Sequence, residues 1–171
     1  MKKINVLIIG GGGREHALAW KLIRSQQAGI IYVAPGNPGT AMLGCRNIPL
    51  DPIRENFGIL ADLACRLGIG LVVVGPDNAL ADGIVSTFKN RGIPTFGPVG
   101  AWIIESSKSY AKLLMQEAGI PTAPFEIFTS AEPAREYIRS KNGQVVVKAD
   151  GLALGKGVGV CHAIETANTA I

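Results

Sequence analysis

Four consecutive glycines, Gly10, Gly11, Gly12 and Gly13, separate the apolar run at residues 4–9 from a stretch of helical spacing that opens at Arg14. Glycines at a strand-to-helix turn bare backbone N–H groups at the positive end of the helix dipole, an arrangement that suits an anion and above all a phosphate. The plainer alternative is that they let strand and helix pack closely. A dinucleotide fingerprint, Gly-x-Gly-x-x-Gly or Ala, does not fit, because the sixth position is Glu15 counted from Gly10 and His16 counted from Gly11. The second strand also runs into Ala34-Pro35-Gly36-Asn37-Pro38-Gly39 instead of ending on an acidic residue, which demotes nicotinamide dinucleotide binding. Asn37 sits at the carboxyl end of that strand, where open α/β sheets place ligands, and is equally suited to a tight turn. Asp77 and Asn78 follow another strand on the same edge. A carboxylate there suits a pair of ribose hydroxyls, and Asp or Asn is also a favoured helix N-cap.

A second glycine-rich segment, Lys148-Ala149-Asp150-Gly151-Leu152-Ala153-Leu154-Gly155-Lys156-Gly157-Val158-Gly159, joins two strands. A Walker loop requires Gly-x-x-x-x-Gly-Lys-Ser/Thr opening a helix; here the spacing is one residue short and Gly157 stands at the hydroxyl position. A hairpin with a glycine-rich tip and a lysine can instead close over a triphosphate as a lid, with Lys148 on the strand as a fixed charge. The alternative is a surface hairpin with solvated lysines. His16 reads as a packing or first-turn residue, and His162 gives no signal. Cys45, Cys65 and Cys161 are odd in number, far apart and without a Cys-x-x-Cys pair, so neither a disulfide framework nor a zinc site is indicated, and a reducing cytosol is expected.

The elements that must position these loops follow from periodicity. Residues 4–9 are continuous and β-branched, as in a parallel strand buried on both faces. Helical spacing over 14–27 is followed by a strand at 29–33. Ile53, Phe57, Leu60, Ala61, Ala64 and Leu67 mark a second helix, and 71–74 a further buried strand. A helix at 79–89 and a short strand at 93–96 complete an alternation that predicts an open parallel sheet with right-handed crossovers, of the α/β class. Beyond residue 100 the rhythm changes to helices at 101–105 and 108–118, strands at 125–128 and 144–148 around a helix at 131–139, then the glycine-rich segment and a last strand. The expected divisions are 1–103, 104–122 and 123–171, and the chain ends inside a new helix, so the last unit reads as unfinished.

The 171 residues are 47% apolar, enough for a proper core. Glycine, at 22 residues, is about twice the average usage of roughly 7% and clusters without a repeat, which excludes collagen. A net charge of +4, with no run of five like charges, fits a small anionic ligand better than a nucleic-acid groove. The amino-terminal apolar stretch is too short for a signal h-region, and the uncharged segment 25–45 is broken by Gln, Pro and Asn. A soluble protein without a membrane or nucleic-acid partner is expected.

The motifs GGGGREHALAWKL, APGNPGT, VVVGPDNALADGIV, ESSKSYAKLLMQEAGIPTA and VVVKADGLALGKGV occur in register across nearly the whole chain. In this order they resemble the phosphoribosylamine–glycine ligase family, ATP-grasp enzymes of purine biosynthesis. The departures are a fourth glycine in the first loop, Asp77 where Glu is frequent and Ser106 where Gly is expected. The resemblance implies a Rossmann-like, pre-ATP-grasp amino-terminal domain followed by the start of an ATP-grasp domain with an incomplete α+β lid. It implies a reaction in which ATP phosphorylates the carboxylate of glycine and the amine of 5-phosphoribosylamine attacks the glycyl phosphate, releasing ADP and phosphate. Gly11, Gly12, Gly13, Arg14, Asn37 and Asp77 match the phosphoribosyl side, whereas Lys108, Lys148, Gly151, Gly155, Lys156 and Gly157 match the ATP side. By the family pattern the Mg2+ or Mn2+ ligands lie downstream of Ile171. The chain would then be an amino-terminal piece, inactive alone, of a cytoplasmic enzyme that is a monomer or weak dimer. The rival readings are a different ATP-grasp ligase or carboxylase and a non-catalytic phosphate-binding or interaction module.

Overall fold

The computed structural model describes residues 3–100, 102–153 and 157–171. The apolar run near the amino end forms β1 (Ile4–Gly10), and because both of its edges are hydrogen-bonded it lies at the centre of a five-stranded sheet. The chain continues through α1 (Gly13–Leu22), β2 (Ala28–Pro35), α2 (Pro38–Met42), β3 (Arg46–Asn47), a 3-10 turn (Arg54–Asn56), α3 (Phe57–Arg66), β4 (Ile69–Val74), α4 (Asp77–Ala81), α5 (Ile84–Lys89) and β5 (Thr95–Phe96). The strand order is β3-β2-β1-β4-β5, all parallel, with Leu7 opposite both Tyr32 and Val72. This is the expected α/β architecture.

Side-chain alternation along β1 builds two cores, one on each face of the sheet. Leu7 and Ile9 pack with Leu60, Ala64, Ile84 and Phe88, while Val6 and Ile8 pack with Ala19, Ile31 and Val33, flanked by Leu18 and Leu22. The i,i+4 spacing of Leu18 and Leu22 therefore does what its pattern predicts, laying α1 on one face.

The chain divides into two units, Met1–Trp102 and Ile103–Ile171. From the division onward come α6 (Trp102–Ser106), α7 (Lys108–Glu117), α8 (Ala131–Ser140), β6 (Val145–Lys148), β7 (Val158–Cys161) and α9 (Ile164–Thr169). Strands β6 and β7 pair antiparallel. Their inner face, with Val145, Val147 and Cys161, packs on Ile138, Ile164 and Ala167. No helix among the described residues is long and apolar enough to cross a membrane.

Several elements differ from the sequence expectation. The first helix ends at Leu22, where Ser25 N–H bonds back to Leu22 O, and not at residue 27. The helix expected at 79–89 is two short helices, because Gly83 adopts the left-handed conformation at φ +87° and breaks the run. Residues 125–128 form no strand. No strand among the described residues pairs with them, and the Lys112 ammonium instead binds Thr122 Oγ1 and Ala123 O and sits over the Phe125 ring, tying this segment to α7. Two elements had no expectation: β3 is too short for a periodicity, whereas α2 carries a start signal, an Asn cap followed by Pro, inside the loop.

Phe88 is fully buried between the sheet and its helices. Phe88→Ala is expected to lower the unfolding free energy by about 3–5 kcal/mol in a guanidinium titration. The exposed Cys65→Ala should change it by less than about 0.5 kcal/mol.

Candidate functional site

Strand β1 has β2 on one side and β4 on the other, so the chain departs from it in both directions and leaves a crevice beyond the carboxyl ends of β1 and β4. Open α/β sheets bind ligands at such a switch point. Three loops meet there: 11–12 after β1, 36–37 after β2 and 75–76 after β4.

Arg14, in the first turn of α1, crosses the crevice. Its Nη1 donates to Gly75 O and, at 3.0 Å, to Asp77 Oδ1. Both side chains are largely exposed, so the pair itself adds little stability. Its effect is to join the β1 and β4 loops while the rest of the guanidinium faces outward. Asp77 is the first residue of α4, whose N-cap is Pro76. The carboxylate thus sits in a helical first turn and turns to Arg14, so the N-cap alternative does not hold for it.

Asn37 ties β2 to the glycine loop. Its Nδ2 donates to Gly11 O at 3.0 Å and Gly12 O at 3.4 Å, and its Oδ1 accepts from Thr40 N–H at 2.9 Å, capping α2. Thr40 is fully buried, and its Oγ1 lies 2.8 Å from both Asn37 O and Asn47 Oδ1. The Asn37 amide is thereby committed to the scaffold: it shapes the loop. His16 packs against Gly39, as a packing residue would.

Glu15 was not singled out in the sequence, yet it is buried beneath the loop, and its Oε2 accepts the Gly12 N–H at 2.6 Å. Any side chain at Gly10 or Gly75 would run into this carboxylate, and Gly10 also has φ +116°. The readable signal was an acidic residue three positions after a glycine N-cap. One loop amide is therefore taken. The amides of Gly13, Arg14 and Glu15, in the first turn of α1, find no acceptor among the described residues and remain available to an anion.

In the second unit, Lys108 opens α7 and its Nζ donates to Gly151 O at 2.7 Å. Asp150 lies at the amino end of the same helix. It accepts from Ser109 Oγ at 2.6 Å, Ser107 Oγ at 3.1 Å and Ser109 N–H at 3.2 Å. Ser107 also caps the helix by accepting from Tyr110 N–H. The Ser109 hydroxyl, with further help from backbone N–H groups and Ser107, holds the Asp150 carboxyl well below the usual carboxylate range. Lys148 is exposed at the end of β6 opposite Val158, and Val146 faces out opposite Val160. Ala149 N–H bonds to Gly157 O and closes the root of the loop. Gly155 and Lys156 lie outside the described residues.

Residues 4–103 match the family described as Phosphoribosylglycinamide synthetase, N domain, and residues 106–171 match its ATP-grasp (A) domain. The phosphoribosylamine–glycine ligase of Nostoc sp. is 49% identical over 170 residues, which is 98% of this chain and 40% of that protein. That of Ralstonia nicotianae is 47% identical over 171 residues, covering 98% and 39%. The chain thus spans about 40% of the length of these curated relatives. Among solved structures, the Thermotoga maritima phosphoribosylamine–glycine ligase superposes with a TM-score of 0.74 at 32% identity, over 97% of this chain and 38% of that one. The N5-carboxyaminoimidazole synthase of Aspergillus clavatus has a TM-score of 0.69 at 16% identity, over 99% and 43%, a likeness of fold.

Because the Asp150 carboxyl is more acidic folded than unfolded, the stability it contributes is present above its unfolded value of about 3.9 and is lost as pH falls below it. Asp150→Asn should therefore flatten the loss of thermal stability between about pH 4 and pH 2 relative to the unsubstituted chain, as followed by circular dichroism.

Proposed function

Since the chain belongs to the phosphoribosylglycinamide synthetase family, we propose that it serves an ATP-dependent ligase that joins glycine to 5-phosphoribosylamine, giving glycinamide ribonucleotide, ADP and phosphate. The observation that carries the reading is the β1/β4 crevice, where open helix-start amides, an arginine and a carboxylate face one small volume. Those three groups suit a phosphorylated sugar: amides and guanidinium for the phosphate, carboxylate for the hydroxyls.

In this reading the amides of Gly13 and Arg14 hold the 5-phosphate. The bonds of Arg14 to Gly75 and Asp77 use Nη1 alone, leaving its other nitrogens for a phosphate oxygen. Gly11 and Gly12 keep the loop low enough for the substrate to approach, and Asn37 fixes their carbonyls. Asp77, paired with Arg14, accepts from ribose hydroxyls. No side chain need act as a nucleophile, because the substrate supplies the amine; positioning and charge neutralisation carry the rate.

ATP supplies the phosphoryl group that activates the carboxylate of glycine. The second unit fits it in kind. Lys108 and Lys148 offset triphosphate charge, Lys148 stands beside the apolar outer face of Val146, Val158 and Val160, and the loop containing Gly151 and Gly157 closes over the phosphates, with Gly155 and Lys156 as its further members. Among the described residues no three potential metal ligands converge. The enzyme would work in the cytoplasm, as a monomer or weak dimer, without nucleic acid or membrane.

The test is ADP release by the intact gene product. Turnover should require both glycine and 5-phosphoribosylamine, and Arg14→Ala should raise the KM for 5-phosphoribosylamine about 10- to 100-fold while leaving that for ATP in place. Equal ADP release with either substrate omitted would sink the proposal.

A further inference from the structure

Lys108 stands between two serines that grip the same carboxylate. Ser107 and Ser109 both donate their hydroxyls to Asp150, and the Ser109 amide donates as well. Asp150 in turn lies two residues beyond Lys148, at the point where β6 gives way to the glycine-rich loop, and the next residue, Gly151, accepts from Lys108 Nζ. One carboxylate thus joins the backbone on both sides of one lysine to the backbone just past the other.

An acidic side chain is a poor neighbour for a polyanion, since a like charge weakens binding. Asp150 is nevertheless solvent-exposed and close to both lysines in sequence or space. Its charge is taken up by two hydroxyls and a backbone amide at the positive end of α7. What the residue contributes is geometry. Without it, α7 and β6 would be linked at this corner chiefly by the flexible Lys108 side chain.

We propose that Asp150 is a positioning residue that sets the separation of Lys108 and Lys148 and pins the root of the glycine-rich loop, so that both ammonium groups reach one triphosphate together. The inference rests on the ATP reading above. Ser107 and Ser109 are its partners, each able to weaken the clamp without removing either lysine.

The experiment compares Asp150→Ala and Ser109→Ala with the unsubstituted intact gene product, varying ATP, glycine and 5-phosphoribosylamine in turn. The KM for ATP should rise about tenfold in Asp150→Ala, and by a smaller factor in Ser109→Ala, because misplaced cations lose the cost-free alignment of a fixed pair. The KM values for the other two substrates should move by less than about twofold. A general loss of structure would move all three together, and that result, or an unchanged KM for ATP, overturns the proposal. Should Asp150→Ala fail to fold, Ser109→Ala decides by the same criterion. If the unsubstituted protein consumes no ATP with these substrates, the functional reading falls. The clamp is then judged by calorimetric Kd for magnesium ATP, where equal values in variant and parent overturn it.

Discussion

Strand β1 is hydrogen-bonded on both edges and buried on both faces, and this confinement governs what lies beyond its carboxyl end. The chain can leave only through a turn that neither intrudes on β2 nor on β4. Glycine meets that requirement, and the same requirement gathers the loops of three strands into one place. Asn37 and Arg14 then act as cross-ties. The first joins the β2 loop to the β1 loop through Gly11 and Gly12, and the second joins the β1 loop to the β4 loop through Gly75 and Asp77. Geometry imposed by sheet pairing is thus converted into a small volume lined with amides and side chains of defined charge.

The two units build their candidate sites by different means. In the first, a deep sheet with cores on both faces holds the crevice rigidly, and polar groups such as Thr40 are buried because each finds a partner. In the second, the hairpin has one small core around Ile138, Cys161 and Ala167 and depends on polar contacts at its open end. The grip of two serines on Asp150 supplies there what packing supplies in the first unit.

Much of the α/β architecture was legible because buried parallel strands and amphipathic helices leave strong periodic marks, as at residues 4–9 and at Leu18 and Leu22. What escaped has local causes. The β3 pair is two residues long, too short to leave a periodic mark; the segment at 125–128 looks like a strand but pairs with no strand among the described residues, and Lys112 meets its Phe125 ring while bonding to Ala123 O just before it. The site residues divide similarly. Loop glycines and Asp77 stand out through spacing and context, whereas Arg14 enters the candidate site only through the family resemblance. Glu15 and Asp150 do not, since the value of a carboxylate that bonds to backbone amides lies in contacts that span a turn or two distant elements. Asn37 was read as either ligand contact or turn former, and the structure shows its amide engaged with the turn.

The burial of Glu15 has a hereditary consequence. Its carboxyl group fills the space that a methyl group would need at Gly10 or at Gly75, so the three positions behave as one character. Alanine at Gly75 would require a shorter residue 15, which would leave the Gly12 amide without its acceptor, and alanine at Gly10 would in addition meet Pro76 and a positive φ. The corner can therefore change only by a concerted set of replacements, for reasons of space as much as of chemistry.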